Sequence, residues 1–145
     1  MSATADSAGG PGLAERLGVE AGTIVQEIGY DESDADEAVR SSIVERSGSE
    51  LVDEDSDEVV DIVLLWWRED DGDLIDALVD AKGPLADSGV VWLLTPKVGR
   101  TGHVEPWDIS EAAPTAGLSE TSTLSAGKDW SGARLVAPKV ARSKR

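Results

Sequence analysis

Between Val59 and Lys97 the spacing of apolar and polar residues outlines a complete structural unit. A wholly apolar run, Ile62–Trp67, gives way to the polar turn Arg68–Gly72 and then to an amphipathic segment, Asp73–Ala81. Gly83-Pro84 and Ser88-Gly89 lead on into a second apolar run, Val90–Leu94. The pattern predicts strand, crossover helix, strand. Strands separated by a dozen or more residues do not close a tight hairpin, so these two are expected to pair in parallel through a right-handed connection. Their unbroken apolar character, in place of alternation, predicts helices on both faces of the sheet.

The flanking segments extend this plan. Leu13–Leu17 suits one helical turn ending at Gly18, and Thr23–Ile28 alternates as a strand does. A helix is predicted over Asp34–Arg46, with Ser33 as N-cap, Asp36 three residues on, and Gly48 as its stop. Its apolar stripe (Ala35, Val39, Ile43) is thin, which predicts weak cover of the sheet. Glu50–Val52 reads as a short strand before the acidic turn Asp53–Glu58. Asp108 with Glu111 marks a later helix that Pro114 is expected to shorten or kink and Gly117 to close. Ser119–Ala126 and Ala133–Pro138 flank Gly127–Gly132 and predict an antiparallel hairpin at the sheet edge, with Trp130 in its turn. The expected fold class is α/β: a small Rossmann-like, mostly parallel sheet with helices on both faces and a C-terminal antiparallel hairpin. The expected organisation is a disordered leader over residues 1–12, a single α/β domain over 13–138 and a basic flexible tail over 139–145.

Composition narrows the class of function. A chain of 145 residues, 40% hydrophobic and 29% charged, has the size and make-up of one globular domain. No apolar run approaches the roughly 20 residues that a bilayer requires, and Met1–Gly12 has neither the basic region nor the apolar segment of a secretory signal. The absence of cysteine excludes disulfides, thiol catalysis and zinc–thiolate sites, and a cytoplasmic location is expected. The net charge of −16 is unevenly distributed. Residues 27–80 hold twenty acids against three arginines, whereas residues 97–145 hold eight basic residues against five acids. So acidic a half repels a phosphate backbone. The expected partner is a protein, not nucleic acid and not a membrane.

Candidate chemistry is sparse. Asp53, Asp55 and Asp57 have the first spacings of a calcium loop, but Glu58 stands where glycine is needed and Leu64 where glutamate is needed, so no metal is expected. His103 is the sole histidine, and neither a Gly-x-Ser-x-Gly nucleophile nor a Walker phosphate loop occurs. No catalytic residue is assigned. In open parallel sheets, ligands bind beyond the carboxyl ends of the strands. That edge is expected to present Trp67, Arg68, Lys97, Arg100 and His103, a mixed aromatic and basic rim suited to an anionic metabolite or a partner's carboxylate. Trp130, in a hairpin turn, is either tucked back or offered to a partner, and is the remaining candidate for a partner contact.

The element order, together with Ala77–Pro96 (ALVDAKGPLADSGVVWLLTP), resembles the Rossmann-like class of S-adenosylmethionine methyltransferases in miniature. Three further segments, DEVVDIVLLWWR (Asp57–Arg68), GVVWLLTPKVGRTGHVEP (Gly89–Pro106) and KDWSGARLVAPK (Lys128–Lys139), resemble an uncharacterised family found chiefly in actinobacteria, the domain of unknown function numbered 3052. The first resemblance implies a methyltransferase-like fold whose cofactor loop follows the first strand. Here that loop reads Glu27-Ile28-Gly29-Tyr30-Asp31-Glu32, with one glycine where the pattern wants two or three. Glu50 and Asp53 lie about twenty residues on, where an acid would hold ribose hydroxyls. No cofactor is assigned. The expected function is a non-enzymatic binding or regulatory module on a degenerate methyltransferase-like scaffold. The alternative is a small S-adenosylmethionine-dependent methyltransferase, or a binder of a nucleoside or an anionic metabolite.

Overall fold

A computed structural model of the chain describes residues 12–137. The expectations for the leader and the basic tail fall outside the described residues, apart from Gly12. In chain order the elements are α1 (Leu13–Arg16), β1 (Val25–Ile28), α2 (Glu37–Ser47), β2 (Val60–Trp66), a 3-10 turn (Glu69–Asp71), α3 (Leu74–Lys82), β3 (Leu85–Pro96), α4 (Pro106–Thr115), β4 (Ser119–Ala126) and β5 (Trp130–Val136). The strands form one sheet in the order β1-β2-β3-β5-β4. β1, β2 and β3 are parallel, and β5 runs antiparallel to both β3 and β4.

The two tryptophan-bearing apolar runs lie side by side in the same direction, with Ile62 opposite Val90 and Trp66 opposite Leu94. Alternation along β2 then divides the core into two layers. Val63 and Leu65 pack with Leu78 and Ala81 of α3 and Ile109 and Ala113 of α4. Ile62, Leu64 and Trp66 pack on the opposite face with Ala14 and Leu17 of α1 and Val39 and Ile43 of α2. The adjacent Trp66 and Trp67 therefore enter different layers, and Trp92 is buried within β3. The α/β architecture with helices on both faces is the one the apolar pattern predicts.

Several boundaries differ, each for a local reason. α2 is capped by Asp36 and not by Ser33: the Asp36 carboxylate accepts from the backbone N–H of Ala38 at 2.9 Å and of Val39 at 3.3 Å. Ser33 instead closes a turn on Asp31. β3 begins at Leu85, because Ser88-Gly89 lies in a bulge where three extra residues of β3 sit between the pairs Val60–Leu85 and Ile62–Val90. Glu50–Val52 contributes one parallel bridge, Val52 to Gln26, in place of a strand. α4 starts with Pro106 at its first position, where no amide hydrogen is missed, and continues through Pro114 to Thr115. Trp130 is the first residue of β5 and not a turn residue. Among the described residues no helix is long and apolar enough to cross a membrane.

Candidate functional site

The three parallel strands end together at Ile28, Trp66 and Pro96, so the segments that follow them share one edge of the sheet. At Gly29 the backbone takes a φ of +80°, and a Cβ there would collide with the Trp66 carbonyl oxygen. Glycine is therefore required for the chain to pass this close to β2. Just before it, Glu27 turns its carboxylate inward and is only 8% exposed. Arg40 of α2 holds it in a two-pronged contact, Nε to Oε2 at 2.7 Å and Nη2 to Oε1 at 2.9 Å, and the Trp66 indole N–H donates to Oε2 at 2.9 Å. The guanidinium lies 3.9 Å from the centre of the Tyr30 ring and also donates to Glu37 at 2.8 Å. The hydrogen bond to Glu27, first among several causes, pushes the Arg40 pKa up.

Arg68, the residue after Trp67, folds back over the same edge. It donates Nε and Nη2 to the two oxygens of Asp34 at 2.9 and 2.6 Å, and Nη1 to the Gly29 carbonyl at 2.8 Å. Its pKa is raised, first by the hydrogen bond to Asp34. The β4–β5 turn closes the other side. Trp130 Nε1 donates to the Asp34 carbonyl at 3.0 Å, and its ring meets Trp66 edge-on at 4.8 Å. Asp36 accepts from the Lys128 N–H at 3.3 Å. Trp130 is 2% exposed: of the two placements open to it, it is tucked back, and its bulk seals the interior.

The other rim residues are also engaged. Lys97 Nζ donates to the Gly127 carbonyl at 3.2 Å, and Arg100 pairs with Asp129 at 2.7 Å, so both stitch the β3–α4 loop to the hairpin turn. His103 Nδ1 lies 2.9 Å from the Pro96 carbonyl, which can only accept, and so that nitrogen carries the proton. Trp67 points into the α3–α4 layer and is buried there. The structure thus gathers Arg68 and Trp130 around Asp34, groups Lys97, Arg100 and His103 along the following loop, and buries Trp67 in the α3–α4 layer, where it shares the lining of one cavity with Arg68. The rim is closed by its own contacts and not laid open.

Sequence reasoning missed the cluster of Glu27, Arg40 and Trp66. A signal for it was present: Glu27 occupies an inward position in an alternating strand, and a buried carboxylate needs a partner. Beside this cluster, between α2 and residues 50–55, lies an open cleft of about 970 Å³. Among the described residues seven carboxylates line it, Glu45, Glu50 and Asp55 among them, with Arg40 as the one cation, itself already paired. Among the described residues no group of three or more histidines or carboxylates is placed to hold a metal ion.

Two predictions follow from these contacts. Arg68→Lys keeps the charge but loses the planar fork, leaving Gly29 and Asp34 short of donors, and is expected to lower unfolding free energy by about 2 kcal/mol in urea titration. The second concerns Glu37, whose carboxyl is held below its ordinary value first by the Tyr30 hydroxyl and then by Arg40. A depressed folded value contributes stability above the unfolded value, and that contribution is lost as pH falls through the folded one. Tyr30→Phe should move the Glu37 titration midpoint upward when followed by carbon NMR of its carboxyl group.

Comparison with known proteins agrees with this architecture. The chain is 55% identical over 132 residues to uncharacterized proteins of Mycobacterium tuberculosis and Mycobacterium bovis, covering 91% of this chain and 82% of each relative. Its fold is similar to that of a methyltransferase from Thiobacillus denitrificans solved with S-adenosyl-L-homocysteine (TM-score 0.57, 11% identity, covering 87% of this chain and 89% of that one). It is also similar to a SAM-dependent methyltransferase from Aquifex aeolicus (TM-score 0.55, 13% identity, covering 83% and 85%). At these identities the likeness establishes a Rossmann-like, methyltransferase-like fold. The model of the family described as protein of unknown function DUF3052 matches residues 14–139, and this chain belongs to that family.

Proposed function

We propose that this chain is a cytoplasmic, non-enzymatic binding module that docks a basic partner protein through its acidic half. The observation that carries the reading is the division of charge at the sheet's edge. Each cationic side chain of the expected ligand rim is already bonded within the chain: Arg68 to Asp34, Lys97 to Gly127, Arg100 to Asp129. Among the described residues, carboxylates without an ion pair, Glu45, Glu50 and Asp55 among them, line the open cleft of about 970 Å³. Such a surface attracts lysine- and arginine-rich faces, speeds their encounter and discriminates against acidic ones.

The fold neighbours supply the second reading, a site for S-adenosylmethionine or a related nucleoside. The residues at the strand ends do not fit that group. The Gly29 N–H is engaged by the Glu54 carboxylate at 3.0 Å, and the Gly29 carbonyl accepts from Arg68. The single glycine is pressed against Trp66 and is not part of an open, glycine-rich cradle. Fold likeness alone does not carry an activity across.

Cross-linking of the full chain in an actinobacterial lysate is expected to return a stoichiometric partner joined near Glu45–Asp55 through a lysine-rich face. The triple variant Glu45→Gln, Glu50→Gln, Asp55→Asn should lose it at unchanged melting temperature, and about 0.5 M salt should dissociate it. A complex indifferent to both treatments overturns the proposal. Titration with S-adenosylmethionine at about millimolar concentration is expected to give neither heat nor a rise in melting temperature, whereas a saturable response would restore the second reading.

A further inference from the structure

β1 stands at one end of the sheet order, so only one of its sides pairs with a strand. On the other side lies Val52, whose N–H donates to the Val25 carbonyl at 2.8 Å and whose carbonyl accepts from the Glu27 N–H at 2.9 Å. Both main-chain groups of Val52 are thus spent on β1. Main-chain groups alternate in direction along an extended segment, so those of Leu51 point away from the sheet. Among the described residues neither the Leu51 N–H nor its carbonyl has a hydrogen-bond partner, and the Asp53 N–H has none either. The sheet therefore ends in open donors and acceptors, a template on which an extended peptide can add itself as a further strand.

This edge runs along the open cleft of about 970 Å³. α2 supplies one wall with Arg40, Ser41, Val44 and Glu45, and residues 50–55 supply the other. Val44 from the helix and Leu51 from the edge are half-buried and form the apolar part of the lining, flanked by the carboxylates of Glu45, Glu50 and Asp55. A strand alternates its side chains, so a guest lying here can set an apolar residue against Val44 and Leu51 and carry basic neighbours to the flanking acids. A second copy of this chain would bring the same carboxylates against each other, which disfavours pairing of like edges.

We propose that an extended, lysine- and arginine-rich segment of the partner adds to the sheet beside residues 50–53, bonding its backbone to the Leu51 N–H and carbonyl and to the Asp53 N–H. This mode of docking deepens the preceding reading and rests on it for the sign of the partner's charge. What it adds is that main-chain bonds, and not charge alone, hold the partner.

The test is NMR titration of the full chain with a short peptide of alternating lysine and valine, and with the same peptide N-methylated at every backbone amide. Methylation keeps the charge and the side chains and removes the donors. The expected result is saturable binding of the unmodified peptide, with slowed hydrogen exchange at the Leu51 and Asp53 amides, and binding of the methylated one weaker by about tenfold or more. Leu51→Pro deletes the outward N–H and should weaken the unmodified peptide by about tenfold relative to Leu51→Ala, which loses the same packing and keeps the N–H. Where the proline variant fails to fold, the two peptides carry the comparison on the unaltered chain. Equal affinity for both peptides overturns strand addition and leaves charge-driven docking standing. Absence of binding by either peptide, or dimerisation of the free chain that protects the same two amides, overturns it as well. Cross-linking reads whether a basic partner is captured and the titration reads which atoms hold the peptide, so either can fail alone.

Discussion

One buried carboxylate organises the open edge of this sheet. Glu27 lies between β1, β2 and α2, and an unpaired carboxylate there would be far too costly to bury. Arg40 and the Trp66 indole together satisfy both of its oxygens. The geometry explains how α2 is held although its apolar stripe is thin. Val39 and Ile43 contribute roughly 1.5–3 kcal/mol each by burial, and the directional grip of Arg40 on Glu27 fixes where along the strand the helix sits. Removal of either partner leaves a charge stranded beneath the other, so the pair behaves as a unit. The helix position in turn determines where Asp34 and Asp36 stand, and with them the partners of Arg68 and the hairpin turn.

The same logic accounts for the relation to methyl-transfer enzymes. The overall fold is shared, at a TM-score of 0.57 and 11% identity. In this chain the edge where the three parallel strands end is closed. Arg68, Glu54 and Trp130 turn its donors and acceptors toward each other. The chain's unbalanced charge is left facing outward on the flank of β1, around the open cleft beside α2.

The parallel unit from Val59 to Lys97 was legible because its information is local: two continuous apolar runs, a polar turn and an amphipathic helix all lie within forty residues. The division of Trp66 and Trp67 between layers follows from strand alternation alone and was equally legible. The wiring of the edge was not. Asp36 outcompetes Ser33 as cap because it also accepts from Lys128, and Trp130 turns inward because the Asp34 carbonyl and the Trp66 ring await it. All three contacts join residues more than sixty positions apart, which no local pattern reports. Lys97 and Arg100 were placed on the right loop by sequence, but their partners, Gly127 and Asp129, belong to a turn whose docking only the tertiary structure reveals.

The hydrogen bonds from Lys128 to Asp36 and from Trp130 to Asp34 also have a temporal consequence. Contacts between such distant parts of a chain carry a large loop-closure entropy and form late. During synthesis the loop after β1 must leave the ribosome and wait while most of the remaining polypeptide is made. Until the final hairpin arrives, the indole of Trp66 lacks its aromatic neighbour, and a nascent or truncated chain ending before β5 presents that apolar surface to whatever chaperone or protease meets it first.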